Sequence, residues 1–455
     1  MDDGFALSIE PDVKSVRSAA QAWSRNETLL LGRPLRHWRR ETREALGLPN
    51  DAIVVMTGHQ AQIWHAGILA KWFVADAYAI ELNGRAAQLV VDQDVQDPAL
   101  VTYPAEREGR LVSVALPMVP ARRDGPTGLQ PAVMLGTPLA VPLIEAAAGV
   151  DRIVGALRDA SGAANAAAQF VSANDALLAP FIGSMPAVFA SQLLATPLGE
   201  ALLDAMCRDP AGVVSAYDNA LASDPHAARS LNAARREVPL WRLERGRNER
   251  ERVVVAADGT LPTGLIAPRA FLMTAFARLA LCDLFVHGTG ARRYERVTED
   301  WIRRWLGVEL APMVVATATL KLPLDRFVSA TPLATIGELR RLRADPDADG
   351  AAPSPAKRAW LDRIHSPPRR SAERRAQYRA MLAYLTERRA AHAPQLDQIA
   401  ALVDSSREHT AVTQLATSRT WPWPLHESAR VIALRDAVRA DLAGRAAYPV
   451  PTVGR

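Results

Sequence analysis

Two stretches of the chain contain most of the residues that can bind an anion or transfer a proton. The first stretch runs from Ala52 to Asp97, and its candidate residues are Gly58, His59, Gln60, His65, Lys71, Asp92 and Asp94. Glycine lets a ligand approach the backbone, while histidine, glutamine and lysine side chains offer hydrogen-bond donors. These residue types predict a site that accepts a phosphate or a carboxylate.

The pattern of apolar residues predicts that this first stretch forms one βαβ unit. The apolar runs Ile53–Met56 and Leu89–Val91 are typical of strands buried on both faces. Between them, apolar residues recur every three or four positions from His65 to Ile80, as on one face of a helix. A right-handed crossover makes the two strands parallel. The loop after the first strand and the two aspartates after the second are therefore expected at one edge of the sheet, where doubly wound folds bind ligands.

The second stretch, Pro268–Pro312, repeats the order of strand, glycine-containing loop and helix. A short apolar strand is followed by the loop His-Gly-Thr-Gly, which begins at His287, and then by a predicted helix over Tyr294–Leu306. If this loop lies beside the first one, the site gains a second wall, and Gly288 and Gly290 allow a ligand close to the backbone. The same four residues are also compatible with a simple tight turn.

Composition and charge argue for an ordinary globular protein of more than one core. The 455 residues are 49% apolar and 23% charged, with a formal net charge of +5. The basic residues fall in three separate runs, Arg36–Arg40, Leu243–Arg252 and Pro368–Arg375, so we expect solvated faces and no nucleic-acid partner.

The cysteines and the apolar segments predict a cytoplasmic protein without a membrane span. Cys207 and Cys282 are far apart, which favours neither a disulfide framework nor a zinc knuckle. The N-terminal residues lack a basic start followed by an apolar core, and Phe181–Gly199 contains prolines and polar residues. His59 and His65 lack the helical spacing of a zinc protease, so no zinc is expected.

The expected fold class is α/β, with a Rossmann-like parallel sheet core, a helical insertion and a C-terminal helical segment. The predicted segments are a helical lead-in (1–51), the first part of the core (52–120), a mainly helical insertion (121–238), the second part of the core (239–330), a helical segment with a short coiled coil as one reading (331–410) and a return onto the core (411–455).

Taken in order, four segments resemble the bacillithiol synthase family, the cysteine-adding enzymes of bacillithiol biosynthesis. They read VVMTGHQAQIWHAGILAK, VVDQDVQD, PRAFLM and LFVHGTGARRYE. In the family the first is typically TGQQxGLxxGPLxxxxK, and the matching residues here are Thr57, Gly58, Gln60, Gly67 and Lys71. The resemblance implies a Rossmann-like core, helical insertions, a coiled coil used in dimerisation, and a ligase that joins the carboxyl of cysteine to the amine of glucosaminyl-malate.

The chain departs from the family pattern at two places. The exit of the second strand is usually GEDHD, whereas Asp92-Gln93-Asp94-Val95-Gln96 keeps one acid in register and loses the His-Asp pair. In the family's GGPGExxYW loop, the glutamate is replaced here by Ala291. A divergent member with another substrate is therefore an alternative, as is a non-catalytic nucleotide- or metabolite-binding protein on the same fold.

The resemblance and the chemistry of amide formation together assign roles to the candidate residues. The catalytic candidates are His59, Asp94 and His287, and the substrate- or nucleotide-binding candidates are Thr57, Gly58, Gln60, His65, Gly67, Lys71, Asp92, Arg269, Gly288, Gly290 and Tyr294. His59 and Lys71 would hold phosphate or carboxylate oxygens, and His287 would act as base or phosphate ligand. Asp92 or Asp94 would hold the amine or a magnesium ion that accompanies ATP or ADP. A homodimer and small-molecule substrates are the expected partners.

Overall fold

The computed structural model describes residues 5–11, 13–95, 100–119, 124–137, 139–328, 336–348 and 352–444. Within every predicted segment some residues lie outside these ranges, among them Gln96 at the exit of the second strand and the last part of 411–455. The chain forms two compact units. Unit 1 comprises Met1–Glu106, Ser113–Leu322 and Ser418–Arg455, and unit 2 comprises Arg107–Val112 and Pro323–Thr417.

The strands are named in chain order. They are β1 (Phe5–Glu10), β2 (Leu29–Leu30), β3 (Arg33–Pro34), β4 (Val54–Gln60), β5 (Arg85–Val91), β6 (Thr102–Arg107), β7 (Arg110–Ala115), β8 (Met118–Val119), β9 (Met134–Leu135), β10 (Ala187–Phe189), β11 (Glu237–Leu243), β12 (Glu251–Val254), β13 (Leu265–Pro268), β14 (Leu284–His287) and β15 (Met313–Leu320).

The helices follow the same scheme. They are α1 (Val13–Ser24), α2 (Leu35–Ala45), α3 (Ala66–Glu81), α4 (Ile144–Asp159), α5 (Ala166–Leu178), α6 (Pro197–Arg208), α7 (Pro210–Leu221), α8 (Ala270–Phe276), α9 (Ala291–Leu306), α10 (Ile336–Ala344), α11 (Pro355–His365), α12 (Ala372–Ala391), α13 (Ala393–Ala416) and α14 (Ser428–Leu442). A π-helical turn, Ala277–Leu281, continues α8.

Unit 1 is built on a six-stranded sheet in the order β1, β15, β14, β4, β5, β10. The five strands from β15 to β10 are parallel, and β1 is antiparallel to β15 at one edge. The predicted fold class is confirmed, because the protein is a mixed α/β fold with a mostly parallel central sheet and C-terminal helices.

The predicted βαβ unit is present as β4, α3 and β5. His65 caps α3, since its Nδ1 accepts a hydrogen bond from the Gly67 backbone N–H at 3.1 Å. The helix ends before Gly84, where a Cβ atom would lie 2.2 Å from the carbonyl oxygen of Ile53. Glycine therefore lets the chain turn tightly into β5 against the start of β4.

Three features of the fold differ from the predicted segments. The lead-in 1–51 is not only helical, because β1 pairs with β15 from Phe5↔Leu320 to Glu10↔Val315. The insertion supplies β10, a parallel strand beside β5. Between residues 237 and 268, β11, β12 and β13 form a separate three-stranded antiparallel sheet in place of further core strands.

Unit 2 contains α10 to α13 and a small core. In this core, Ile364 of α11 packs with Met381 and Leu385 of α12, and all three side chains are buried. Polar contacts add to it, since Asp347 Oδ1 lies 2.6 Å from a guanidinium nitrogen of Arg388 and 3.0 Å from His392 Nε2.

Candidate active site

The two predicted loops leave the sheet side by side. Strands β4 and β14 are adjacent and parallel, with Val55 opposite Leu284 and Thr57 opposite Val286. The chain leaves β4 towards β5 on one side and leaves β14 towards β15 on the other, so the strand order reverses between them. At such a switch point the loops diverge and open a crevice at the carboxyl ends of the strands.

A cleft of about 610 Å³ occupies this position in unit 1. The predicted site residues that line it are Gly58, His59, Gln60, Lys71, Asp94, Arg269, His287, Gly288, Gly290 and Tyr294. The glycines serve different purposes. A Cβ on Gly58 would lie 2.7 Å from the carbonyl oxygen of Leu89, whereas Gly288 and Gly290 have room for one. Gly58 is thus required by its close approach to β5, and the other two keep the second loop free of side chains.

Lys71 is buried at the floor of the cleft. Its side chain is 4% exposed, and its Nζ donates a hydrogen bond to the Gly58 carbonyl oxygen at 2.5 Å. The same Nζ lies 5.3 Å from the centre of the Trp72 ring. Burial lowers the pKa of Lys71 from 10.5 to about 7. An anion that enters the cleft would restore the charge on this amine.

His59 lines the cleft as a neutral imidazole. Burial, followed by the charges of Lys71 and His65, holds its pKa well below the usual value. Its Nδ1 accepts a hydrogen bond from the Gln60 backbone N–H at 2.8 Å, so the ring proton of the neutral form lies on Nε2. His59 is therefore suited to donate a hydrogen bond to an oxygen and is a weak proton acceptor.

His287 belongs to a buried charge chain that the sequence did not indicate. Its Nε2 lies 3.3 Å from Glu295 Oε1, and Glu295 Oε2 accepts a hydrogen bond from Arg278 at 2.5 Å. Burial lowers the pKa of His287, although Glu295 acts in the opposite direction. Burial alone would raise the pKa of Glu295, but His287 and Arg278 outweigh it and lower the pKa to about 2. An ionised Glu295 thus orients the neutral ring.

The remaining predicted residues of the cleft stand on its walls. Asp94 Oδ1 lies 3.0 Å from a guanidinium nitrogen of Arg250, and Gln60 donates to Oδ2 at 3.2 Å. Arg269 donates to Glu237 Oε1 at 2.6 Å. Burial raises the pKa of Tyr294, which keeps its hydroxyl group protonated.

Four predicted residues do not line the cleft, because each is engaged elsewhere. Thr57 is buried and donates to the Val286 carbonyl oxygen at 2.9 Å. His65 and Gly67 form the capped start of α3. Asp92, which was expected to bind an amine or a magnesium ion, instead accepts hydrogen bonds from the Ser191 backbone N–H at 2.9 Å and from its hydroxyl group at 2.5 Å. Its role is to fix the chain that follows β10.

The opposite wall of the cleft carries arginines that were predicted to form a solvated face. Arg250 and Arg252 both line the cleft, and the guanidinium groups of Arg250 and Arg269 lie 4.9 Å and 4.1 Å from the centre of the Trp241 ring. Arg229 also lines it. The two-residue spacing of Arg250 and Arg252 at the start of β12 was the available signal, since it places both on one face of a strand.

The described lining of the cleft is rich in basic side chains. Among the described residues, Asp94 is the one carboxylate in its lining, against four arginines and Lys71. In the same part of the chain, no three His, Cys, Asp or Glu side chains gather as a metal site. No described helix has both the length and the apolar character needed to cross a membrane. The cleft therefore favours an anionic ligand.

No protein-family model and no curated protein matches the chain.

Proposed function

We propose that the protein is a bacillithiol synthase-like ligase, which joins the carboxyl of cysteine to the amine of a glucosaminyl-malate-like acceptor. The observation that carries this proposal is the pairing of β4 with β14. That pairing places Lys71, His59 and the His287–Glu295 pair around one cleft with an excess of positive charge. Amide formation needs these three things together: groups that hold an activated acid, a proton acceptor, and a site for an anionic acceptor.

The acid would bind on the side of the first loop. An acyl phosphate or a carboxylate there would receive hydrogen bonds from His59 Nε2–H and from Lys71, whose amine gains its proton when an anion approaches. These donors would also face the negative charge that develops on the carbonyl oxygen during attack.

The amine would be activated on the side of the second loop. The neutral His287 accepts the proton of the attacking ammonium group while Glu295 stabilises the imidazolium that results. The new C–N bond then forms as the C–O bond to the phosphate breaks, and the phosphate leaves with the electron pair and takes up the second proton of the nitrogen. Asp94 can hold either the ammonium group or a magnesium ion, in exchange for its contact with Arg250.

Magnesium fits this cleft in one way only. Mg²⁺ accepts one or two protein carboxylates together with phosphate oxygens, and Asp94 is the carboxylate that the described lining offers. Asp94 would hold the ion of a bound ATP or ADP, and the ion would neutralise phosphate charge. No zinc is part of the proposal.

The acceptor would lie against the wall formed by β11 and β12. Arg250 and Arg252 can pair with carboxylates of a malate-like group, and Trp241 also lines this wall. The proposal includes small-molecule substrates, a homodimer and the reducing cytoplasm as the compartment, and it includes neither nucleic acid nor membrane.

The test is a search for product by mass spectrometry after the protein is incubated with cysteine, glucosaminyl-malate, ATP and magnesium. We expect the mass of the condensed thiol, and its loss in Lys71→Met but not in Arg304→Ala, an exposed arginine of α9. If the folded protein binds ATP or the acceptor and forms no product, a binding protein or a ligase with another substrate replaces this proposal. The ion pair between Asp94 and Arg250 favours that alternative.

A further inference from the structure

A second cavity of about 610 Å³ lies at the opposite edge of the same two strands. It is bounded by α2, by the residues 50–53 that precede β4, and by Asp283, which precedes β14. The candidate active site opens at the carboxyl ends of β4 and β14, so this cavity, which we call the amino-edge pocket, is a different site on unit 1.

Helix α2 gives the amino-edge pocket a strong positive charge. Arg36, Arg39, Arg40 and Arg43 follow one another at three- and four-residue spacing, which places them along one side of the helix. All four line the pocket, together with His37, and the carboxylates of the lining are Asp51 and Asp283. The pocket therefore has more guanidinium groups than carboxylates.

The excess charge extends into the buried part of the pocket. Arg39 and Arg43 are each 5% exposed, and both donate to the single carboxylate of Asp283. Arg39 Nε is buried and has no hydrogen-bond partner among the described residues. Burial lowers the pKa of Arg43, and Asp283 offsets this only in part because the charge of Arg39 acts in the same sense as burial. Two buried cations thus share one anion.

The rim of the pocket is adaptable. Arg36 pairs with Glu27, but both side chains are more than half exposed, so the pair contributes little and can open at small cost. Arg40 is also exposed. Two exposed guanidinium groups at the rim therefore add donors beside the two buried ones.

We propose that the amino-edge pocket binds a small phosphate-bearing anion. Guanidinium groups match phosphate oxygens with paired hydrogen bonds and keep their charge when buried. A phosphate here would supply the second anion that Arg39 and Arg43 lack, and the volume of the pocket suits a molecule of the size of a nucleotide. The phosphate could belong to an inorganic anion or to a nucleotide, and pyrophosphate and ADP are the probes for these two cases.

The experiment is calorimetric titration of the full chain with pyrophosphate and, separately, with ADP. We expect the double variant Arg36→Ala/Arg40→Ala to bind at least one of them about tenfold more weakly than the wild type, since two nearby cations are lost. The matched control Arg303→Ala/Arg304→Ala removes two exposed arginines of α9 and should bind as the wild type does. The ligand whose binding is weakened shows whether the pocket accepts an inorganic anion or a nucleotide.

Two controls separate this site from the candidate active site and from unfolding. Lys71→Met, in the cleft, should keep the binding event that the α2 double variant weakens, whether or not the protein proves to be a ligase. Arg36→Ala/Arg40→Ala should keep the melting temperature of the wild type, because both side chains are exposed. The proposal is overturned if neither ligand binds, if the α2 variant binds both unchanged, or if the α9 control loses as much affinity.

Discussion

The buried amine of Lys71 affects both the stability of the protein and the binding of a ligand. Its amine is nearly free of water, and its pKa of about 7 in place of 10.5 corresponds to about 5 kcal/mol of destabilisation when the charged form is buried. The hydrogen bond to Gly58 returns only part of this. A cation kept at such cost is typical of a site that awaits an anion.

We predict that Lys71→Met stabilises the protein by about 3 kcal/mol at pH 6 and weakens the binding of anions in the cleft. The folded-state pKa lies below the unfolded one, so the penalty is complete below pH 7 and disappears as the pH rises towards 10.5. Urea unfolding at several pH values measures the gain, which should shrink from pH 6 to pH 10. A gain that is constant with pH, or a loss, contradicts this account of Lys71.

Glu295 should set the pH at which His287 loses its proton. Glu295 raises the pKa of His287 against the effect of burial, so Glu295→Gln should lower that pKa further and extend the neutral form to lower pH. Histidine titration by NMR measures this directly, and the acid limb of kcat/KM should move in the same direction. Glu299→Gln is the control, because Glu299 pairs with Arg278 and makes no contact with His287. An unchanged His287 pKa in Glu295→Gln would show that Glu295 does not control the protonation of His287.

At the residue scale, sequence patterns predicted positions better than they predicted partners. Gly58 and His287 reach the cleft because they directly follow the apolar runs of β4 and β14, and Lys71 does so because its helix packs against β4. Asp92 has the same placement, yet its hydrogen bonds to Ser191 depend on residues 99 positions away. Arg250 and Arg252 were assigned to solvent for the converse reason, since the cleft that they line is completed by residues distant in the chain.

At the element scale, the two halves of the site are joined by Asp283. Its carboxylate accepts a hydrogen bond from the Val54 backbone N–H at 2.8 Å and pairs with Arg39 and Arg43 of α2. One side chain thus fixes the start of β14 to the start of β4 and both strands to a helix. The far ends of those strands carry the two loops of the cleft.

We predict that Asp283→Ala destabilises the protein by roughly 3–5 kcal/mol, because it leaves two buried guanidinium groups without their carboxylate. Chemical denaturation measures the change. Asp300→Ala, which removes ion pairs of exposed arginines on α9, should cost less than about 1 kcal/mol. Added pyrophosphate should restore part of the loss in Asp283→Ala if the amino-edge pocket binds it. If the two variants lose equal free energy of unfolding, the buried ion pairs of Asp283 contribute no more to stability than exposed ones.

The elements that the sequence did not reveal are those whose partners are distant in the chain. Strand β1 is half-buried, and it is stabilised by β15 about three hundred residues later. Strand β10 has three residues and gains its place from β5. A strand of three residues is too short to show a periodicity, whereas the alternation of Phe5, Leu7 and Ile9 in β1 was a signal that the sequence did offer.

At the scale of the whole molecule, the two units differ in the size of their cores. Unit 1 has a large core cluster on its sheet, which includes Met56, Leu89 and Phe276. In the described part of unit 2, three buried apolar side chains form one cluster, and five further apolar side chains are buried outside it. Since burial of each contributes about 1.5–3 kcal/mol, unit 2 has little to set against the entropy of ordering its helices.

We therefore predict that unit 2 opens independently and more readily than unit 1. Hydrogen exchange followed by mass spectrometry should show faster exchange for amides of α11 and α12 than for β4 and β14. Met381→Ala should accelerate exchange within unit 2 and leave β4 unchanged, whereas Tyr378→Ala, at a 50% exposed position of the same helix, should do neither. If the protein dimerises through unit 2, its protection should rise with protein concentration, because association stabilises only the folded helices. Exchange of α12 as slow as that of β4 at every concentration would contradict the prediction that unit 2 opens more readily than unit 1.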